Sequence, residues 1–530
     1  MSENGGASKS NSTNGAGHCG SSFFKEPKAV MSVSKYERFY KVNHKNRGIA
    51  VILNHEHFWT KNKSKKQPNP GTNADLMSFE KALKSLGFKT LIYEDQTVQS
   101  IMNILEDVSE EDHSDNDCFI LVCLTCGKQG NLRARDNLYN PSILWSYFTA
   151  KKCSTLAGKP KLFFIQAREE EETDGSQVDS YPSYTIPDQA DVLIVSVIPN
   201  MFTFNKETQS SWFAQVLCEK LNTYGFSEDI LTLLTSVNRK IAENFESFIV
   251  NNPNKQVKKE IPHITSMLTR QLQFYKKDCD EQDNAVASMT VLDTPYKMNH
   301  KNRGFAVILN HKIFDTKDPR PGTSVDVNNL EKSLQRLGFH TEPYLNLTVA
   351  KIKQVLKKVS EKDHSDNDCF LLVCLTHGSL RGISASDNLY NPNELWSLFT
   401  EEKCPTLAGK PKLFFIQACQ GGNLDAGVRL YSQVDSGSPY KIPSDPDFLI
   451  ASATVPGFVA WRSWFIKVLS EKLDEFGFTE DLLTLLTYVS CSVAVDFDSY
   501  CPSNPANHGK KQIPSINSTL TRKLKFSENI

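Results

Sequence analysis

The 530-residue chain has no apolar run near the ~20 residues that a membrane helix needs. Its longest runs, such as Cys369 to Leu375, are only strand-sized. Charge of one sign is not in surplus either. Sixty basic residues face 61 acidic ones, a formal net charge of −1, which excludes nucleic acid as the main partner because phosphate binding needs a net basic face. The first 22 residues are rich in Gly, Ser and Asn and hold no apolar segment, so no secretory leader is expected. With 26 Gly and 24 Pro, collagen-like and low-complexity classes fall away. Cysteine is not scarce, but thirteen is odd and many lie inside apolar runs; they read as reduced, buried thiols of a cytoplasmic protein. What remains is 39% hydrophobic and 23% charged, long enough to bury several cores.

The chain repeats itself. Asn43 to Gly48 (NHKNRG) recurs as Asn299 to Gly304, an offset of 256. His113 to Thr125 recurs as His364 to Thr376 with 12 of 13 residues identical, and AGKPKLFFIQA occurs at both Ala157 and Ala408. Leu231 to Thr235 matches Leu483 to Thr487. A period near 250 residues is too long for a solenoid unit, so each copy is a whole domain. The reading is a disordered tail over 1–39, a first domain over 40–275, a linker over 276–294 and a second domain over 295–530.

Within each copy, short apolar runs alternate with amphipathic stretches. Phe305 to Leu309, Phe370 to Leu375 and Leu413 to Ile416 read as buried strands. Val325 to Leu337 has helical spacing and stops at Gly338; Glu394 to Phe399 and Ser463 to Leu473 also look helical. Continuous apolar strands between helices predict an α/β fold with a mostly parallel sheet covered on both faces. In such sheets ligands bind beyond the carboxyl ends of the strands. In the second copy those ends run into Thr376-His377-Gly378 and Gln417-Ala418-Cys419-Gln420-Gly421.

A Cys and a His at neighbouring strand ends suit nucleophilic catalysis, because the thiolate is the reactive form and an adjacent imidazolium lowers the thiol pKa. A lone buried Cys is usually an inert small hydrophobe and a lone His a satisfied polar group. Here the stretch QACQG fits the pattern Q-A-C-[RQG]-G, and His377 lies 42 residues upstream. Zinc is not expected: His364, Cys369, Cys374 and His377 fall along one strand with alternating faces and have no CxxC spacing. No metal or other cofactor is called for.

These stretches, with PRPGTSVD (Pro319 to Asp326), ATVPGFVAWR (Ala453 to Arg462) and LTRKLKF (Leu520 to Phe526), resemble the caspase family, nearest to insect effector caspases. The resemblance covers both copies almost end to end. It implies two caspase-like domains, each a mostly parallel six-stranded sheet flanked by helices, and cleavage of proteins after Asp in apoptosis. By similarity Cys419 is the nucleophile and His377 the general acid/base. The backbone N–H groups of Gly378 and Cys419 form the oxyanion hole, where losing one donor typically costs ~3 kcal/mol. The substrate Asp carboxylate needs charged, bidentate partners once desolvated; the matching residues are Arg320, Gln417 and Arg462, with Trp461 and Phe458 shaping the adjoining apolar pocket. One departure concerns substrate binding. After Arg462 the second copy lacks about five residues that the first retains as Lys206 to Ser210.

Read at the same offsets, the first copy has lost its working residues. His377 becomes Cys126, Cys419 becomes Arg168, Arg320 becomes Asn69, Arg462 becomes Asn205 and Trp461 becomes Phe204; only Gln417 survives, as Gln166. An Arg is no nucleophile, a thiol is a poor base near neutral pH, and two neutral amides do not compensate a buried carboxylate. The first copy therefore reads as a pseudoenzyme. The family resemblance also implies pairing of domains through a final strand. A linker of roughly 18 residues reaches up to ~60 Å, against a domain diameter of roughly 45 Å. Pairing within one chain is expected, and pairing between chains is the alternative. Asp435, Asp179, Asp174 and Asp293 are the candidate processing sites. Protein substrates, other caspases and inhibitor-of-apoptosis proteins are the partners implied, with no membrane. A non-enzymatic decoy that binds caspases or their inhibitors is the second reading of the whole.

Overall fold

The computed structural model describes residues 36–59, 66–68, 71–128, 130–169, 190–197, 210–244, 261–277, 295–421, 445–455, 458–460, 464–500 and 508–528. In the first copy the main strands are β1 (Asn46–Asn54), β2 (Lys89–Glu94), β3 (Asn116–Lys128), β4 (Lys161–Glu169), β5 (Val192–Val197) and β6 (His263–Ser266). The second copy repeats them as β7 (Phe305–Asn310), β8 (His340–Leu345), β9 (Phe370–Leu375), β10 (Lys412–Gln417), β11 (Phe448–Ser452) and β12 (Ser515–Ser518). All twelve join one sheet in the order β8-β7-β9-β10-β11-β12-β6-β5-β4-β3-β1-β2. Within each copy the strands run parallel except the last, β6 or β12, which is antiparallel to its neighbour. The expected α/β class and the six-stranded sheet per copy are both present.

The strands form where the apolar runs lie because both faces of the sheet are covered. On one face pack α1 (Thr72–Ser85), α3 (Trp212–Tyr224) and α4 (Ile230–Asn244), through residues such as Phe79, Leu217 and Leu234. Their counterparts α5 (Thr323–Arg336), α7 (Trp464–Phe476) and α8 (Leu482–Asp496) share that same cluster. The other face is covered by α2 (Val98–Glu110) and α6 (Val349–Ser360), each over a separate cluster. The helix expected over Glu394 to Phe399 is only a short 3-10 turn, Pro392–Leu395. Trp396 and Phe399 are instead buried against Phe414 and Phe370, and core packing outweighs local helical spacing there.

The repeated NHKNRG motif has a structural task. Arg303 is fully buried and donates to the Asp368 carboxylate at 2.7 Å and to the Leu337 carbonyl at 3.0 Å. His300 reaches the other Asp368 oxygen at 2.9 Å. Arg47, His44 and Asp117 repeat the arrangement. Gly304 lies at φ +129°, and a Cβ there would fall 1.9 Å from the Cys369 carbonyl oxygen, so no other residue fits.

The copies meet edge to edge. β6 and β12 pair antiparallel, with Thr265 opposite Asn517 and their side chains hydrogen-bonded at 2.8 Å. Asn238 donates to the Leu520 carbonyl at 3.3 Å, and Arg522 lies 3.1 Å from Glu243. Arg38, just before the first domain, reaches across to sit over the rings of Phe476 and Tyr488. The linker calls over 278–294 and the tail over 1–35 lie outside the described residues.

Candidate active site

β9 and β10 pair in parallel up to Leu375 opposite Gln417, and the Thr376 N–H still donates to the Gln417 carbonyl at 3.0 Å. Two residues further on each strand come His377 and Cys419. Equal distance from a parallel register pair puts both on the same face. The contact is close. A Cβ on Gly378 would fall 2.0 Å from the Cys419 carbonyl oxygen, so only glycine lets the backbone after the His lie against that of the Cys.

The imidazole is held from behind. His377 Nε2 lies 2.9 Å from the Asp318 carbonyl oxygen. A carbonyl only accepts, so Nε2 carries the hydrogen and Nδ1 is the basic nitrogen. Phe314, itself buried, packs against the ring at 4.8 Å between centroids. The His377 carbonyl accepts from the Ser384 N–H at 2.9 Å, which anchors the following hairpin.

Cys419 is partly buried, and its thiol lies 3.6 Å from the Ala460 carbonyl oxygen. Burial pushes its pKa above the usual thiol value, while the charges of Arg320 and Lys317 pull the other way. Desolvation is the largest influence on the thiol, and the Ala460 hydrogen bond and the two cations oppose it. The next residue, Gln420, is pinned by its N–H to the Phe458 carbonyl at 2.9 Å and by its amide to the Thr454 carbonyl at 2.5 Å.

Arg320 is buried, with its guanidinium donating to the His311 carbonyl at 3.2 Å and its N–H to the Lys312 carbonyl at 2.9 Å. Thr323, also in reach of the guanidinium, is fixed by Asn310 at 2.7 Å. Gln417 is buried at the end of β10. A buried, pre-oriented guanidinium can receive a carboxylate. Arg462 and Trp461 lie outside the described residues, as do Asp435, Asp179, Asp174, Asp293, Asn69, Asn205 and Phe204.

In the first copy the same strands pair further, through Cys126 opposite Arg168 and Gly127 opposite Glu169. Cys126 is buried. Burial works against the Arg168 charge, which Cys126 and Asp75 favour. Gln166 donates to the Asp75 carboxylate at 2.7 Å and accepts from the Ser211 hydroxyl at 2.7 Å. Asp75 also accepts from the Ser210 hydroxyl and the Ser211 N–H. Gln166, the counterpart of Gln417, is thus engaged by the chain's own carboxylate.

Asp318, Phe314, Lys317 and Gln420 were not legible as site residues. Asp318 contributes a backbone carbonyl, which every residue has, and a single Lys in a polar loop carries no signal of its own. Among the described residues no group of three or more His, Cys, Asp or Glu could hold a metal, and no helix is long and apolar enough to cross a membrane.

The caspase domain model matches residues 47–273 and again 303–525. The chain is 49% identical over 259 residues to caspase-1 of Spodoptera frugiperda, covering 47% of this chain and 87% of that one. It is 47% identical over 245 residues to caspase drICE of Drosophila melanogaster, with 44% and 72% covered. The crystal structure of the Spodoptera caspase-1 aligns with 44% of this chain and 95% of its own, at 49% identity and a TM-score of 0.41. With both copies matched across nearly their whole length, the chain belongs to the caspase family and carries its domain twice.

Proposed function

We propose that the second copy is an Asp-specific cysteine endopeptidase of apoptosis, acting in the cytoplasm, and that the first copy is its non-catalytic partner. The observation that supports this reading is the position of His377 and Cys419, each two residues beyond the paired Leu375 and Gln417, with the Gly378 and Cys419 backbones in close contact and Nε2 tied to Asp318. Nδ1 takes the thiol proton as the sulfur attacks the carbonyl carbon after the substrate Asp. The resulting oxyanion accepts from the Gly378 and Cys419 N–H groups. His377 then gives the proton to the leaving amine as the C–N bond breaks, and water hydrolyses the thioester. Arg320, Gln417 and Arg462 hold the Asp carboxylate, with Trp461 and Phe458 beside it. The first copy has Cys126 and Arg168 at these positions and acts as a tethered half of the sheet, in place of a second chain.

Cutting at Asp435 would separate the large and small parts of the second copy, with Asp174 or Asp179 doing so in the first and Asp293 parting the two. A second reading, a decoy for caspases or inhibitor-of-apoptosis proteins, draws on the segment of about five residues missing after Arg462. Full-length protein, intact and nicked after Asp435, should hydrolyse a fluorogenic peptide ending in Asp, and Cys419→Ala should abolish this. No turnover by the nicked protein would favour the decoy.

A further inference from the structure

The loop that carries Arg320 also carries a second cation. Lys317 is half-buried, and its ammonium donates to the Ser384 hydroxyl at 2.7 Å. Ser384 is the residue whose N–H holds the His377 carbonyl. One residue after Lys317, the Asp318 carbonyl holds His377 Nε2. The ammonium is therefore anchored to the same hairpin and loop that hold His377, whereas the Arg320 guanidinium is buried against the His311 carbonyl. An ammonium has three donors; a neutral hydroxyl uses one, and among the described residues Lys317 has no carboxylate partner within ion-pair distance. Its charge reaches the sulfur, where it opposes the effect of burial on the thiol.

In the protease reading the imidazole gives its proton to the leaving amine, so a cation anchored beside the imidazole is placed towards the residue that follows the cleaved bond. We propose that Lys317 is a specificity-determining residue that selects for a carboxylate side chain immediately after the cleaved Asp. This rests on the Asp-specific protease reading above and adds to it a preference on the leaving side. The candidate processing sites all carry a neutral residue there, namely Gly175, Ser180, Thr294 and Ser436. The preference is therefore directed at other proteins rather than at self-cutting. A partly exposed ammonium–carboxylate contact is worth up to roughly fivefold in rate.

The test uses the nicked full chain and quenched-fluorescence peptides that share the residues up to Asp and carry Glu, Ser or Lys after it. The unmodified protein should cleave the Glu peptide several-fold faster, in kcat/KM, than the Lys peptide. Lys317→Met should flatten that ratio and Lys317→Glu should invert it. Release of a coumarin from a peptide ending in Asp, a substrate with no residue after the bond, serves as the reference rate for each form. The same Glu-to-Lys ratio in all three proteins would overturn the proposal while leaving the protease reading intact. Absence of all cleavage by the unmodified protein would instead overturn the protease reading, and this proposal with it.

Discussion

The same two strands end differently in the two copies. In the first, β3 and β4 stay paired through Cys126–Arg168 and Gly127–Glu169. In the second, β9 and β10 part after Leu375–Gln417, and the chain beyond them turns into the Gly378–Ser379 and Gly382–Ser384 hairpin. The strand interiors are almost the same sequence, so the frame alone does not make a site. A ladder claims backbone groups that an oxyanion hole must leave available. In the second copy the ladder ends before His377 and Cys419 although the Gly378 and Cys419 backbones stay in contact, and the first copy continues its pairing across that point.

The contrast also runs across the sheet. Met267 of the first copy, fully buried, shares a cluster with Val455 and Ile513 of the second, and Phe458 packs against it. Phe458 in turn holds Gln420, next to Cys419. The first copy thus packs against the loop that holds Gln420, next to Cys419.

The largest effect is expected at Gly378. Gly378→Ala drives a methyl into the Cys419 carbonyl, and a displacement of ~1 Å costs ~100-fold in rate. The kcat/KM for an Asp-ending peptide should fall by about that factor while the melting transition is retained. Gly127→Ala in the first copy should leave cleavage unchanged, and equal losses from both would break the contrast. Met267→Ala comes next. Truncating a buried Met costs about 2–5 kcal/mol, and peptide cleavage by the second copy should fall although Met267 touches no substrate. Urea unfolding and kcat/KM would show both, and full activity would deny the supporting role.

The smallest effect is one the copies share. His55 and His311 are fully buried, and desolvation lowers each pKa to about 4. Their folded pKa lies below the unfolded value, so the contribution is fully present above about pH 6.5 and is lost as pH falls towards 4. At pH 5 each costs about 2 kcal/mol of stability relative to pH 7. Urea midpoints at both pH values, with His311→Phe flattening about half of the change, would check this.

Much of this was legible in the sequence. Continuous apolar runs fixed the strands, the near-identical repeats fixed two equivalent sheets, and QACQG with His377 located the rim. Three things were not. The extra pairing of Cys126 with Arg168 follows from backbone register, which side-chain periodicity does not report. The Glu394 to Phe399 stretch had helical spacing, but burial of Trp396 and Phe399 decided it. The cross-copy docking of Arg38 depends on rings at Phe476 and Tyr488, more than four hundred residues away in the chain, beyond any local pattern.

Labelling stoichiometry tests the division of labour most directly. The nicked full chain would be treated with a thiol-reactive affinity label built on a peptide ending in Asp, digested and weighed. One label per chain, on Cys419 and lost in Arg320→Ala, is the predicted result. A second equivalent on Cys126, or labelling of Cys419 that ignores Arg320, would contradict it.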